Sequence, residues 1–140
     1  MRRLGLVLLA IGIVCIIGCT SSGNPEAEDA AIASARAWLA LIDNEQYGES
    51  WDEAARLFKG AVTKIQWQQT MQALRKPFGK NISRELKSKS YQTSLPGSPD
   101  GEYVVIQFKA SFENKKSAVE TITPMREKDG EWRVSGYYMK

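Results

Sequence analysis

The feature that most limits what this chain can fold into is a change of apolar period at Ile82. Before it, apolar residues recur every three or four positions; after it, they alternate. The first spacing lines one stripe of a helix, and the second lines one face of a strand. Helices and strands are therefore segregated along the chain, the pattern of an α+β domain in which helices cover one face of an antiparallel sheet.

Three helices are expected in the first half. Asn24 as a cap, Pro25 at the first helical position, and Glu26, Glu28 and Asp29 near the positive end of the dipole start the first. Its buried stripe is Ala31, Ala35, Trp38 and Ile42, and it runs to about Asp43. Ser50 with Glu53 reads as a capping box for a second helix, with Trp51, Ala54, Ala55 and Phe58 on its inner side and an end near Gly60. Thr63 with Gln66 repeats the box, Trp67, Met71 and Leu74 supply the next stripe, and Pro77 stops the third helix.

Four antiparallel strands follow. Ile82, Arg84 and Leu86 share one parity while Tyr91, Thr93 and Leu95 share the other, which calls for a bulge or break near Ser88. Leu95 to Gly101 is dense in turn formers and joins this strand to Glu102–Phe112, whose Val104, Ile106, Phe108, Ala110 and Phe112 should meet the helices. Ser117 to Met125 is a third strand in which Pro124 signals an edge or a bulge, and Asp129-Gly130 turns the chain into Trp132–Met139. By the same parity the second sheet face carries Tyr103, Val105, Gln107 and Lys109, with Arg133, Ser135, Tyr137 and Met139. That mixture is consistent with a solvated face or with homodimerisation through it.

The chain begins with a different kind of signal. Arg2 and Arg3 precede an apolar run from Leu4 that closes on Ile16-Ile17-Gly18-Cys19. Leu4 to Gly18 is shorter than the roughly 20 apolar residues of a membrane span, and its anatomy is that of a secretory leader. The last four residues resemble the processing site of a bacterial lipoprotein. The resemblance implies cleavage between Gly18 and Cys19, diacylglyceryl transfer to the Cys19 sulfur, and a lipid-anchored protein of the cell envelope. Thr20 is not the aspartate that such proteins use as an inner-membrane retention signal, so in a two-membrane cell the implied site is the outer membrane, facing the periplasm. Residues 1–18 are thus expected to be removed, 19–25 to form a lipidated tether, and 26–140 to form one α+β domain.

Removal of the first 18 residues takes two of the 19 basic side chains with it and leaves 17 against 16 acids. So even a balance offers no general attraction to nucleic acid. The distribution is uneven, however: Glu26 to Glu53 is acidic, whereas Arg75, Lys76, Lys80, Arg84, Lys87 and Lys89 cluster, a pattern expected from internal charge pairing or from a basic surface for anionic groups. The two cysteines are Cys15, in the leader, and Cys19, so the domain is expected to lack disulfides and free thiols. There is no histidine, which removes the commonest general base and metal ligand. With no nucleophile elbow and no phosphate-binding glycine loop, no enzyme activity, metal or cofactor is expected. Asp43, Asp52 and Glu120 are the carboxylates most open to an acid–base role, if one existed.

Ala37-Trp38-Leu39, Tyr47, Ser50-Trp51, Trp67, Leu95-Pro96-Gly97, Asp100-Gly101-Glu102-Tyr103, Phe112-Glu113-Asn114 and Asp129-Gly130-Glu131-Trp132-Arg133 together resemble the domain-of-unknown-function family 4019, over about residues 30 to 139. The resemblance implies a cone of the nuclear-transport-factor-2-like or cystatin-like kind, with three N-terminal helices packed on one face of a curved four-stranded antiparallel sheet. Cones of that type often leave a cavity between helices and sheet. Trp38, Trp67 and Phe108 would line it, and Tyr103 and Tyr137 would offer hydroxyls to a small ligand; the same aromatics serve equally as core. The expected role is a non-catalytic binding or accessory module for another envelope protein, with a small-ligand carrier as the alternative and a ketosteroid-isomerase-like enzyme as the least favoured reading.

Overall fold

The computed structural model describes residues 23–140. The expected leader, Gly18 and Cys19 lie outside the described residues. Among the described residues four α-helices come first: α1 (Pro25–Asp43), α2 (Tyr47–Asp52), α3 (Arg56–Ala61) and α4 (Lys64–Arg75), followed by a 3-10 turn, Lys76–Phe78. A sheet of β1 (Asn81–Gln92), β2 (Tyr103–Phe112), β3 (Lys115–Arg126) and β4 (Trp132–Met139) follows, antiparallel and in sequential order.

The first helix begins where its cap directs: the Asn24 side chain accepts from the Ala27 N–H at 3.1 Å, with Pro25 filling a position that needs no donor. Ala31, Ala35, Trp38 and Ile42 are all buried. The fourth helix carries the reciprocal box between Thr63 and Gln66. The expected second helix is instead two short ones, because the chain leaves helical geometry so that the Ala55 N–H can donate to the Val134 carbonyl on β4 at 2.8 Å. Ser50 is accordingly no cap. It lies within α2, buried, its hydroxyl donating to the Tyr47 carbonyl at 2.6 Å and accepting from Trp67 Nε1 at 2.9 Å.

In the sheet, the register slips between Leu86 and Ser88 as the parity change requires, and again between Asn81 and Ser83, which leaves Ile82 exposed. Pro124 sits at a bulge in a central strand. It pairs with Val134 while Thr123 pairs with Gly136, so Ser135 is the extra residue opposite them. This slip corrects the expected parity of β4, because Val134 and Tyr137 both face the helices and Met139 packs against Phe112, Ala110 and Ala118. Tyr103 needs a correction too. Its alternation places it on the second face, yet it is fully buried, with its hydroxyl donating to the Pro99 carbonyl at 2.6 Å from the loop that folds over it.

The inward side chains form two apolar clusters. The larger joins all four helices to Val104, Ile106, Phe108, Ile122 and Val134; the smaller holds Ala110, Phe112 and Ala118 beneath Phe78. Complete burial of a side chain such as Phe108 or Ile122 stabilises by about 1.5–3 kcal/mol, so the larger cluster dominates folding. Between the two clusters lie charges.

Candidate functional site

Four of the five residues expected to line a cavity belong to the larger cluster: Trp38, Trp67, Phe108 and Tyr137. Their rings fill space against each other. Trp38 lies 5.8 Å from Trp67 and 5.5 Å from Tyr137, and Phe58 meets Trp67 edge-on at 4.8 Å. The indole donors are satisfied internally, Trp38 Nε1 by the Ser50 carbonyl at 2.8 Å and Trp67 Nε1 by the Ser50 hydroxyl. A ring whose polar atom is already bonded and whose faces meet other rings packs as core. Tyr103 lies apart from this cluster, under the Pro99 loop.

The charged seam between the clusters is a chain of five side chains. Tyr137 donates to Glu120 Oε2, and Arg84 Nε donates to Glu120 Oε1 at 2.7 Å. The remaining nitrogens of Arg84 grip Asp43 at 2.7 and 3.1 Å, and Arg75 Nη2 reaches the same carboxylate at 3.0 Å. Glu120 is fully buried on β3, between Ala118 and Ile122 along the inward face. Burial acts to raise the Asp43 carboxyl, but hydrogen bonds and charge from Arg84 and then Arg75 overcome it and hold Asp43 below the usual carboxylate range. Burial acts against the charged form of Arg84, and its two carboxylate partners more than offset this, pushing it further up. Burial, then the Glu120 charge and hydrogen bond, push the Tyr137 hydroxyl well above its ordinary value. Both inner carboxylates are therefore bound on both oxygens. Asp52, the third carboxylate singled out, pairs instead with Lys64 at 2.8 Å on the surface.

The seam reaches the surface at Asp43 and Arg75, where a concavity of about 270 Å³ opens between the end of α1 and the start of β1, rimmed by Glu45, Tyr47, Lys76, Gly79, Lys80 and Glu113. Arg75 stacks over the Phe112 ring at 4.5 Å and its side chain is only 4% exposed, yet its Nε and Nη1 have no acceptor. Two rim residues, Glu45 and Gly79, hold left-handed φ values of 60° and 75°. At Gly79 a Cβ would stand 2.9 Å from Glu113 Cβ, so only glycine lets the turn close on the β2–β3 hairpin. A second concavity, about 300 Å³, lies between α2 and α4 and is walled by polar groups including Gln68, Gln72 and Lys64. Neither concavity is lined by Trp38, Trp67, Tyr103, Phe108 or Tyr137.

Of this arrangement, sequence reasoning named Asp43 and Glu120 as carboxylates and Arg75 and Arg84 only as members of a basic cluster, and it missed the gathering of these two acids and two bases at one seam. The available signal was positional: Glu120 and Arg84 sit at inward parity, and Arg75 falls four residues after Met71 on the α4 stripe. A lone charge at a core position asks for a buried partner. Among the described residues no helix is long and apolar enough to cross a membrane, and no cluster of acids is arranged to hold a metal ion.

Comparison with known proteins places the chain in one family only at the level of its description. The profile described as "Protein of unknown function (DUF4019)" matches residues 34–137, from the middle of α1 to the end of β4. No curated protein matches the chain.

Proposed function

Because the chain belongs to the DUF4019 family, whose description assigns no activity, we propose its role from its own geometry: a lipid-anchored envelope protein that acts by binding another envelope protein, without catalysis. The observation that carries this reading is the contrast between the two sheet faces. The inner face spends its aromatics and carboxylates on one another, while the outer face presents half-buried Val105, Val119, Thr121, Thr123 and Met125, with Tyr138 exposed at its edge. The helical residues of both apolar clusters pack on the inner side. A face that mixes these apolar and hydroxyl groups with Gln107, Lys109 and Arg133 suits a protein partner better than water alone. The inner carboxylates, each bonded on both oxygens, are not free to act as a base, which weighs against the isomerase-like reading at Asp43 and Glu120. The packed aromatic cluster weighs in the same way against a carrier that would use Trp38 and Trp67. Helices lying against one sheet face also agree with the cone-like fold inferred for the family.

Lipidation at Cys19 would leave five residues, Thr20 to Asn24, before α1. At no more than about 3.5 Å each they reach under roughly 20 Å, which keeps the domain beside its membrane. Crosslinking in intact cells, followed by mass spectrometry, tests the proposal on the wild type and on Cys19→Ala. One envelope protein captured by the wild type and lost from the soluble form supports an anchored accessory role. Self-crosslinks alone, with dimers in sedimentation at micromolar concentration, replace the partner by a second copy; an absence of any adduct overturns the reading.

A further inference from the structure

Beyond any protein partner, the structure assigns a second binding site: the concavity at the end of α1 takes a small oxyanion, a carboxylate or phosphate group, with the buried Arg75 guanidinium as its anchor. An arginine that is 4% exposed normally has its donors matched, because an unmet buried N–H forfeits hydration without return. Arg75 spends Nη2 on Asp43 and leaves Nε and Nη1 without acceptors. The Phe112 ring at 4.5 Å offsets part of its charge but supplies no oxygen. Arg75 is one of the residues around the concavity, and its two unpartnered nitrogens lie buried behind the surface.

The cationic side chains around it favour an anion, acting against the negative C-terminal ends of α1 and α4. Lys76 and Lys80 stand exposed on the rim, and neither ammonium has a carboxylate partner among the described residues. The adjoining β2–β3 hairpin adds Lys115, over the Phe78 ring at 5.7 Å, and Lys116. Of the acids there, Asp43 is already paired with two arginines and Glu113 accepts from the Lys80 backbone N–H at 2.8 Å, while Glu45 on the rim opposes the two lysines. About 270 Å³ suits a ligand near the lower end of small-molecule sites, one charged group on a short scaffold. Both nitrogens are covered as the chain stands, so the anion reaches them only when neighbouring side chains move aside. The site lies at the C-terminal end of α1, a 19-residue helix about 28 Å long, and so at the far end of that helix from the tether.

The test uses the full-length chain in detergent, with ¹⁵N-labelled arginine, titrated with inorganic phosphate and separately with acetate at constant ionic strength. The Arg75 Nε–Hε signal is expected to shift saturably with at least one of them while that of exposed Arg56 stays put. Saturation by phosphate points to a phosphate ester as the ligand, and saturation by acetate to a carboxylate. Lys80→Glu, whose backbone bond to Glu113 is unaffected, should weaken the midpoint about tenfold, equivalent to roughly 1.4 kcal/mol. Arg75→Met, followed by isothermal titration calorimetry with the same anions, should lose the binding that the wild type shows and keep the fold. A shift that rises linearly with anion and is shared by Arg56, or a calorimetric affinity unchanged in Arg75→Met, overturns the site.

Discussion

The two halves of the inner sheet face solve the same problem in opposite ways. Around Trp38 and Trp67, polar atoms are few and each is bonded; around Arg84, charges are buried outright and survive because Asp43, Glu120 and Tyr137 surround them. The first half gains from burying area, and losing one bond there costs one bond. The second gains little from its charges as such, since desolvation consumes most of their attraction, but it fails badly when a single member is removed. What separates the halves is one β3 position: Ile122 faces the aromatics, and Glu120, two residues earlier, faces the arginine.

Breaking the seam should have the largest effect. Arg84→Met leaves Glu120 buried without a cation and should cost about 3–5 kcal/mol in chemical denaturation. Glu120→Met added to it should return part of that loss, because the orphaned charge is then gone. In the aromatic half, Ser50→Ala strips the acceptor from Trp67 Nε1 and should cost about 1–3 kcal/mol, without the cooperative collapse of the seam. Arg75→Met sharpens the comparison from within the seam. Asp43 keeps its two bonds from Arg84 and two unmet donors disappear, so the change should stay within about 1 kcal/mol. A cost as large as that of Arg84→Met would mean that both arginines are structural.

The smallest effect is one of pH. Asp43 titrates lower in the folded chain than in the unfolded one, so its contribution is present above the unfolded value and is lost as pH falls through the folded value. Stability should therefore decline as pH drops below about 4, and Asp43→Asn should flatten that limb. Tyr137 works at the other extreme: its raised value makes stability fall as pH rises beyond about 10, a loss that Tyr137→Phe should remove.

Much of the fold was legible because it rests on period and caps. Asn24, Pro25, the Thr63–Gln66 box, the inward run from Val104 to Phe112 and the turn at Asp129-Gly130 each carry a local physical cause, and each appears in the structure as read. Two readings failed where a tertiary bond outbid a local one. Ser50 resembles a cap but is held inside by Trp67, and the helix expected through Ala54 breaks so that Ala55 can bond β4. Tyr137 was placed on the wrong face because one extra residue opposite Pro124 inverts the alternation, and proline marks a bulge without fixing which strand absorbs it. The charged seam was half visible: Asp43 and Glu120 stood out as acids, but pairing them with Arg75 and Arg84 requires knowing which residues β1 and α4 bring beneath α1.

A photo-crosslinking residue placed in living cells tests the central claim most directly: at Thr121, in the middle of the outer sheet face, and at Gln69, exposed on α4, as its control. A module that works through its outer face should give one discrete adduct from Thr121 and none from Gln69. Adducts from both positions, or from neither, would contradict it.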